Sequence, residues 1–202
     1  MLTEGLAELV PPGVQRYFRA PIRSTTVSVS RVPGTVSSPT SRLVWREGMC
    51  GHLQFRSGRC PTRAGEVAVS VADTRNYGWR TGSAVTMEER VGDPAAVKAH
   101  PAPRARLRVV GVYTVVPGDY WYGAGPTGQS GTAAQNTRQP LIDDWLTPRS
   151  TLAGTAAVGW LDPAEEVDLR LNRAVVARSS ASDLRCRGSA SGPHHPRTRW
   201  GR

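Results

Sequence analysis

The chain has 202 residues, of which 39% are hydrophobic, and a formal net charge of +10. This length and composition suit one globular domain, or two small ones, with a core of ordinary size. No apolar run approaches the roughly 18–20 residues that span a bilayer. The N-terminus has neither the basic start nor the unbroken apolar stretch of a signal peptide. We therefore expect neither a transmembrane helix nor a signal peptide in this chain.

The positive charge raises the question of a nucleic-acid partner. Half of the excess lies at 185–202, where there are five arginines and no acidic residue. Lys98 is the only lysine among the 26 basic residues, a bias typical of high-GC coding sequence. We therefore expect no specific nucleic-acid binding, and a basic binder that uses the 185–202 tail stays an alternative.

Alternation of apolar and polar residues predicts several strands. A short helix at 2–10 precedes them and ends at Pro11-Pro12. The strands are expected at 24–32, 41–47, 65–70, 84–89 and 106–116.

The strand at 106–116 is the most apolar and is expected at the centre of a sheet, because both of its faces are largely hydrophobic. Strict alternation would place Leu107, Val109, Gly111 and Tyr113 on one face and Val110, Val112 and Thr114 on the other.

One helix has clear end signals. Ser70 and Asp73 have the spacing of a capping box in which Asp replaces Glu, and Gly78 suits a left-handed helix stop. These signals predict a short helix over 71–77.

The other segments are punctuated by Gly and Pro. Loops are expected at 91–105 and 117–139, a turn or one helical turn within 140–154, and two strands within 156–176, joined near Asp162-Pro163. The sequence thus predicts an α+β class: a β-rich mixed sheet with one or two short helices, long Gly/Pro loops and a disordered C-terminal tail. The expected parts are an extension with one strand (1–40), a domain (41–178) and a basic tail (179–202).

Cys50 and Cys60 bracket a short polar segment that a disulfide could close, which would stabilise the fold by about 3 kcal/mol. A structural zinc site needs four ligands, and Cys50, His52 and Cys60 supply three. A redox motif would need Cys-x-x-Cys. A disulfide is favoured, and unpaired buried thiols or a metal site stay open. Cys186 lies in the basic tail and is expected to remain unpaired.

Motifs for phosphate binding, zinc hydrolysis or a serine nucleophile are absent from the sequence. Asp143-Asp144 and Glu165-Glu166 are adjacent pairs whose members would face opposite ways on a strand, so a solvated surface is expected for both pairs. The sequence therefore predicts no catalytic residue, no metal site, no cofactor and no enzymatic activity.

Tyr120, Trp121 and Tyr122 form an aromatic run before a Gly-rich loop. Such a run packs at one end of a sheet more often than it stacks on a sugar or a base. Contact with a ligand or partner through these three rings is the second interpretation.

The segments "RLVWREGMCGHL" (42–53), "GRCPTRAGEVAVSVADTRNYGWRTGSAVTM" (58–87), "LRVVGVYTVVPGDYWYG" (107–123) and "PLIDDWLT" (140–147) occur in that order. Together they resemble the extracytoplasmic domain of actinobacterial FtsX-like ABC transporter permeases, the group that includes MacB. The resemblance covers about 42–160, and its specificity comes from the order of several short motifs.

The resemblance implies a non-enzymatic α+β domain at the extracytoplasmic face of the cell membrane, between two membrane helices. The whole permease would work with an ABC ATPase subunit to move lipids, lipoproteins or peptides, or to control a protein partner. Cys50–Cys60 would staple the sheet.

The chain departs from this family because the flanking membrane helices are missing and 185–202 does not resemble a family continuation. We hypothesise a fragment produced by a frameshift. The alternative function is a secreted glycan- or peptide-binding module that uses Tyr120, Trp121 and Tyr122.

Overall fold

The computed structural model describes residues 10–29, 41–88, 104–122, 125–132, 140–154 and 164–176. They fall into two compact units, one spanning 22–168 and one made of the described parts of 1–21 and 169–202. The strands are β1 (Ile22–Val29), β2 (Ser41–Arg46), β3 (Leu53–Gly58), β4 (Glu66–Ser70), β5 (Ala84–Glu88), β6 (Arg104–Val115), β7 (Trp145–Leu146) and β8 (Ala164–Asp168). The helices are α1 (Pro12–Gln15), α2 (Val71–Tyr77), α3 (Arg149–Gly154) and α4 (Arg173–Val176), with 3-10 turns at Met49–His52 and Asp119–Trp121.

The larger unit is built on one mixed sheet with the strand order β3-β6-β4-β7-β2-β1-β8, and β5 also pairs with β6. β4 runs parallel to β6 and β7 parallel to β2, while the other pairs are antiparallel. This architecture confirms the predicted α+β class with a β-rich mixed sheet. β1, which falls in the predicted 1–40 extension, pairs with β2 and β8 in this sheet.

β6 is an interior strand, as its apolar faces predicted, but it lies beside the edge formed by β3 and β5 and not at the centre of the sheet. Its first half pairs with β5, and its second half lies between β3 and β4. The expected alternation of its side chains is wrong beyond Val109, because Val67 and Ala68 of β4 pair with Val109 and Gly111 and leave Val110 as the extra residue of a bulge. An extra residue inverts the alternation, so Val112 joins the face of Leu107 and Val109, and Tyr113 lies on the other.

Two apolar clusters cover the two faces of the sheet, since adjacent strand residues fall in different clusters. The first cluster lies on the face of the sheet that α2 and α3 cover. Its buried members are Val27, Leu43, Val67, Val69, Val85, Met87, Leu107, Val109, Val112, Ile142, Trp145 and Leu152. The second is covered by the two 3-10 turns; its buried members are Val44, Met49, Leu53, Ala68, Tyr113, Tyr120, Trp121 and Leu146.

Helix α2 confirms the predicted range, the Ser70 cap and the Gly78 stop, while the Asp73 carboxylate accepts from the N–H of Asp143. The N–H of Asp73 donates to Ser70 Oγ at 2.9 Å. Gly78 has a left-handed backbone with φ of 75°, and its N–H donates to Thr74 O at 2.9 Å. Local side-chain and backbone chemistry therefore fixes this helix.

Strand β3 lies in the polar segment between the two cysteines, where no strand was predicted from the sequence. A Cβ on Gly58 would lie 2.0 Å from the Val110 oxygen, so this position on the strand requires glycine. Gly58 of β3 pairs with Gly111 of β6. Because neither residue has a side chain, the two backbones can approach closely. Gln54, Arg56, Ser57 and Gly58 make most of β3 polar or small, so residue propensity does not indicate a strand there.

Other differences concern the C-terminal half. The 140–154 segment holds the short strand β7 and helix α3, and the described part of 156–176 holds one strand, β8, and one helical turn, α4. The predicted helix at 2–10, most of the loop at 91–105, and the tail at 179–202 lie outside the described residues.

The smaller unit is held by backbone hydrogen bonds. Phe18 forms an antiparallel bridge with Leu171. The N–H of Arg19 donates to Arg170 O at 2.7 Å, and the N–H of Asn172 donates to Tyr17 O at 2.6 Å.

Candidate functional site

Cys50 and Cys60 form a disulfide with their Cα atoms 5.9 Å apart. This confirms the favoured interpretation and corrects the open alternatives of free thiols or a metal site at these residues. The bridge joins the turn before β3 to the residues after it, so it closes a loop around one edge strand of the sheet. In the described part of the chain, no group of three or more His, Cys, Asp or Glu residues is placed to hold a metal ion.

His52 lies in the turn that the disulfide closes, and it connects this turn to the aromatic run. Its ring stacks on Tyr120 with centroids 3.7 Å apart and an angle of 8° between the planes. The His52 oxygen also accepts a hydrogen bond from the N–H of Val116 at 3.0 Å, at the end of β6. The disulfide loop is thereby tied to the start of the segment that carries the aromatic run.

Tyr120 is an anchor of the second cluster. Its hydroxyl donates to Glu47 O at 2.6 Å, and its backbone oxygen accepts from Arg46 Nη2 at 3.0 Å. Burial raises the pKa of Tyr120 to about 12, against the opposing effect of the Arg46 charge. The phenol therefore stays neutral at physiological pH and acts as a structural hydrogen-bond donor.

Trp121 and Tyr122, the next two residues after Tyr120, differ in their solvent exposure. Trp121 is 7% exposed and meets Tyr120 edge to face at 4.7 Å. Tyr122 is 39% exposed and has a left-handed backbone with φ of 53°. Among the described residues it is the only non-glycine with positive φ, a strained conformation that the surrounding contacts must hold.

The three residues predicted to contact a ligand or partner therefore lie together, but they differ in solvent exposure. Tyr120 and Trp121 lie in the core, and Tyr122 alone offers an exposed ring. Contact between these residues and a ligand or partner stays a prediction.

A cavity of about 160 Å³ lies beside Trp121 and Tyr122, on the face of the sheet that carries the second cluster. Its other lining residues come from alternate positions of three neighbouring strands and from the segments around Pro126 and Asp144. The strand positions are Ser24 and Thr26 on β1, Arg42, Val44 and Arg46 on β2, and Glu166 and Asp168 on β8. Polar residues on three paired strands thus converge on one face.

Two ion pairs cross the cavity lining. Arg42 binds Asp144 through two hydrogen bonds, Nε to Oδ1 at 2.8 Å and Nη2 to Oδ2 at 2.7 Å. Arg46 Nη1 donates to Asp168 Oδ2 in a short contact. Burial raises the pKa of Asp144, and the hydrogen bond from Arg42 opposes that rise.

Two buried N–H donors at the cavity lack an acceptor. Trp121 Nε1 and Arg46 Nε have no hydrogen-bond partner among the described residues. Both side chains line the cavity and both residues are over 90% buried, Arg46 being 8% exposed. A buried donor without an acceptor is costly, and such groups call for an explanation in a native fold.

Asp143 and Asp144 are buried, which corrects the expectation that this pair is solvated. The reason is that each has inward partners. Asp143 Oδ1 accepts the N–H groups of Gln129 at 2.9 Å and Ser130 at 3.0 Å, while Asp144 pairs with Arg42. The two carboxylates thus have different hydrogen-bond partners. Glu165 and Glu166 are exposed.

Asp73, at the start of α2, forms a second polar site with Asp143. Its Oδ1 accepts the N–H of Asp143 at 3.2 Å. Burial raises the pKa of Asp73 to about 7, and the charge of Asp143 adds to that rise. The sequence identified Asp73 only as a helix-capping residue. Its burial involves Asp143 and Ser130, which are distant in sequence, so no local pattern predicts it.

No protein-family model matches the chain, and no curated protein matches it significantly. Among solved structures, the chain is similar to a domain assigned to a permease protein from Porphyromonas gingivalis, with a TM-score of 0.39 and 14% identity. The match covers 90% of this chain and 70% of that one. A likeness at this TM-score carries no argument about function. Within the described residues, no helix has the length and apolar character needed to cross a bilayer.

Proposed function

We propose that the chain is a non-enzymatic extracytoplasmic domain of an FtsX-like ABC transporter permease. The whole permease would move lipid, lipoprotein or peptide substrates, or transmit force to a partner, with energy from an ABC ATPase subunit. This domain would hold or contact what is moved and would have no transport activity alone.

The observation that carries the proposal is the position of the segments that resemble this family. They supply β2, β4, β6 and β7, which are neighbours in the order β6-β4-β7-β2 although they are far apart in the sequence. The disulfide then joins the first of these segments to the second.

The disulfide also supports a position outside the cytoplasm. Structural disulfides persist in oxidising compartments and are rare in the cytosol of mesophiles. In the family, membrane helices flank this domain and hold it in such a compartment.

The test is the nucleotide sequence around the coding region. All three frames are translated upstream of codon 1 and beyond about codon 180, and the neighbouring genes are inspected. We expect membrane-helix codons in at least one flank and an ABC ATPase gene nearby. Flanks without membrane helices in any frame and without an ATPase gene would contradict the proposal.

A secreted glycan- or peptide-binding module remains the second candidate, and the exposed, strained Tyr122 favours it. Glycan and peptide arrays probed with the purified chain and with Tyr122→Ala test it. Binding that Tyr122→Ala abolishes, in a chain whose gene has no permease context, supports this candidate over the first.

A further inference from the structure

We propose that the cavity lined by β1, β2, β8, Trp121 and Tyr122 binds the α-amino end of a small ligand. The ligand carries an ammonium group next to a carbonyl or carboxylate oxygen, as a free amino acid or the amino terminus of a peptide does. This inference concerns the purified chain and does not depend on the permease proposal.

The size of the cavity suits one amino-acid residue. Its volume is about 160 Å³. An engineered cavity of roughly 150 Å³ admits a benzene molecule, so this one holds a group of similar size. Polar side chains line it on several sides, which favours a polar ligand or water over an empty apolar void.

The two N–H donors without a partner favour a ligand that carries a hydrogen-bond acceptor. Trp121 and Arg46 line the same cavity, and the Nε1–H of Trp121 and the Nε–H of Arg46 are buried without an acceptor among the described residues. The other nitrogens of Arg46 are engaged, since Nη1 donates to Asp168 and Nη2 to Tyr120 O. A carbonyl or carboxylate oxygen in the cavity would satisfy these free donors.

The carboxylates that line the cavity favour a ligand with a positive charge next to its carbonyl or carboxylate oxygen. Asp144 and Asp168 are each hydrogen-bonded to an arginine, whereas the Glu166 side chain has no such bond among the described residues and acts on Arg42 only through its charge. The lining therefore has two arginines against three carboxylates, a formal charge of −1. A simple anion such as phosphate would meet this excess of negative charge, while an ammonium group would pair with Glu166.

Tyr122 completes the cavity with an exposed aromatic ring. The strained backbone at φ of 53° holds this ring at the lining, and backbone strain of this kind clusters at binding sites. One side of the ring already meets the Arg46 guanidinium, whose carbon lies 5.5 Å from the ring centroid. Aromatic faces attract ammonium groups as well as guanidinium groups.

The test follows the indole N–H signal of Trp121 by ¹H–¹⁵N NMR of the purified chain, with Trp121→Phe used only to assign it. The probes are L-alanine, L-alanyl-L-alanine amide, N-acetyl-L-alanine methylamide and inorganic phosphate. We expect a saturable downfield shift with L-alanine or with the dipeptide amide, and none with the acetylated probe or phosphate. A response to L-alanine alone assigns a free amino acid, and a response to the dipeptide amide alone assigns a peptide amino terminus.

Glu166→Gln should weaken binding of the responding probe about tenfold, as expected for loss of one charged hydrogen bond. Glu165→Gln is the matched control, because Glu165 is the adjacent exposed residue on the other face of β8 and does not line the cavity. The inference is overturned if neither amino probe shifts the signal, if the acetylated probe or phosphate binds as well, or if the two Glu variants bind alike.

Discussion

The ring of His52 lies flat on the ring of Tyr120, with the centroids 3.7 Å apart. His52 belongs to the loop that the Cys50–Cys60 disulfide closes, and Tyr120 begins the aromatic run beside the cavity. The stack therefore connects the covalent staple to the segment that presents Tyr122. This connection makes the disulfide loop a support of the candidate site as well as of the sheet edge.

Replacing His52 with Ala should destabilise the fold by about 1 kcal/mol, because aromatic stacks contribute roughly 0.5–1.5 kcal/mol. For a chain of this size that corresponds to about 2–4 °C in Tm, measured by thermal unfolding. His52→Phe, which keeps a flat ring, is the control and should retain most of the stability. Equal losses in both variants would show that the stack itself contributes nothing.

Removing the disulfide should cost about 3 kcal/mol of unfolding free energy, since the bridge restricts a short loop in the unfolded chain. The double variant Cys50→Ser/Cys60→Ser is compared with the wild type in urea. Reduced wild type serves as the control and should unfold at the same urea concentration as the double variant. Unchanged stability in both would contradict a structural role for the bridge.

Asp73 should make the fold less stable as pH rises from about 4 to about 7. Its pKa is 3.8 in the unfolded chain and about 7 in the fold, so the folded state binds the extra proton and its benefit is lost as that proton leaves. Asp73→Asn should flatten this part of the pH profile and be more stable than wild type at pH 8, by on the order of 1–3 kcal/mol. The measurement is urea unfolding at several pH values.

A wild-type profile that is flat between pH 4 and 7, or one that Asp73→Asn leaves unchanged, would contradict this assignment. Asp119→Asn is a suitable control, because Asp119 is an exposed carboxyl in the turn before Trp121.

Glu66 should have the opposite effect to Asp73 on how the stability of the fold depends on pH. Hydrogen bonds from Arg59, at 2.9 and 2.5 Å, and from the N–H groups of Thr62 and Arg63 lower its pKa to about 2. A lowered pKa gives stability that is present above about pH 4.5 and is lost as pH falls through about 2. Glu66→Gln should lose roughly 1–3 kcal/mol at pH 7 and show a weaker acid transition. Acid titration followed by circular dichroism checks this, and an identical acid midpoint in both proteins would refute it.

Local patterns predicted the parts of the fold that local chemistry determines. Helix α2 is set by Ser70 and Gly78, and the interior position of β6 follows from its apolar faces. The bulge at Val110 was not predictable, because it appears only when β6 pairs with β4. Strand β3 was missed for a related reason, since its Gly58 is needed to approach the β6 backbone.

The candidate site was predicted in part. The cysteine spacing indicated the disulfide, and the aromatic run drew attention to Tyr120–Tyr122. The cavity depends on Arg42 and Arg46 of β2 and on Glu166 of β8, and these two strands are far apart in sequence and are brought together only because β1 pairs with both. Alternating polar residues on a strand indicate one face, but no local pattern tells which other strand will share it.

The redox state of Cys50 and Cys60 in living cells tests most directly the central claim that this is a disulfide-closed extracytoplasmic domain. Cells carrying the native gene with its flanking sequence are quenched in acid, free thiols are alkylated, and the peptide spanning both cysteines is measured by mass spectrometry. The account predicts that Cys50 and Cys60 are recovered linked to each other in the membrane fraction. Recovery of both as alkylated thiols from a cytosolic protein would contradict it.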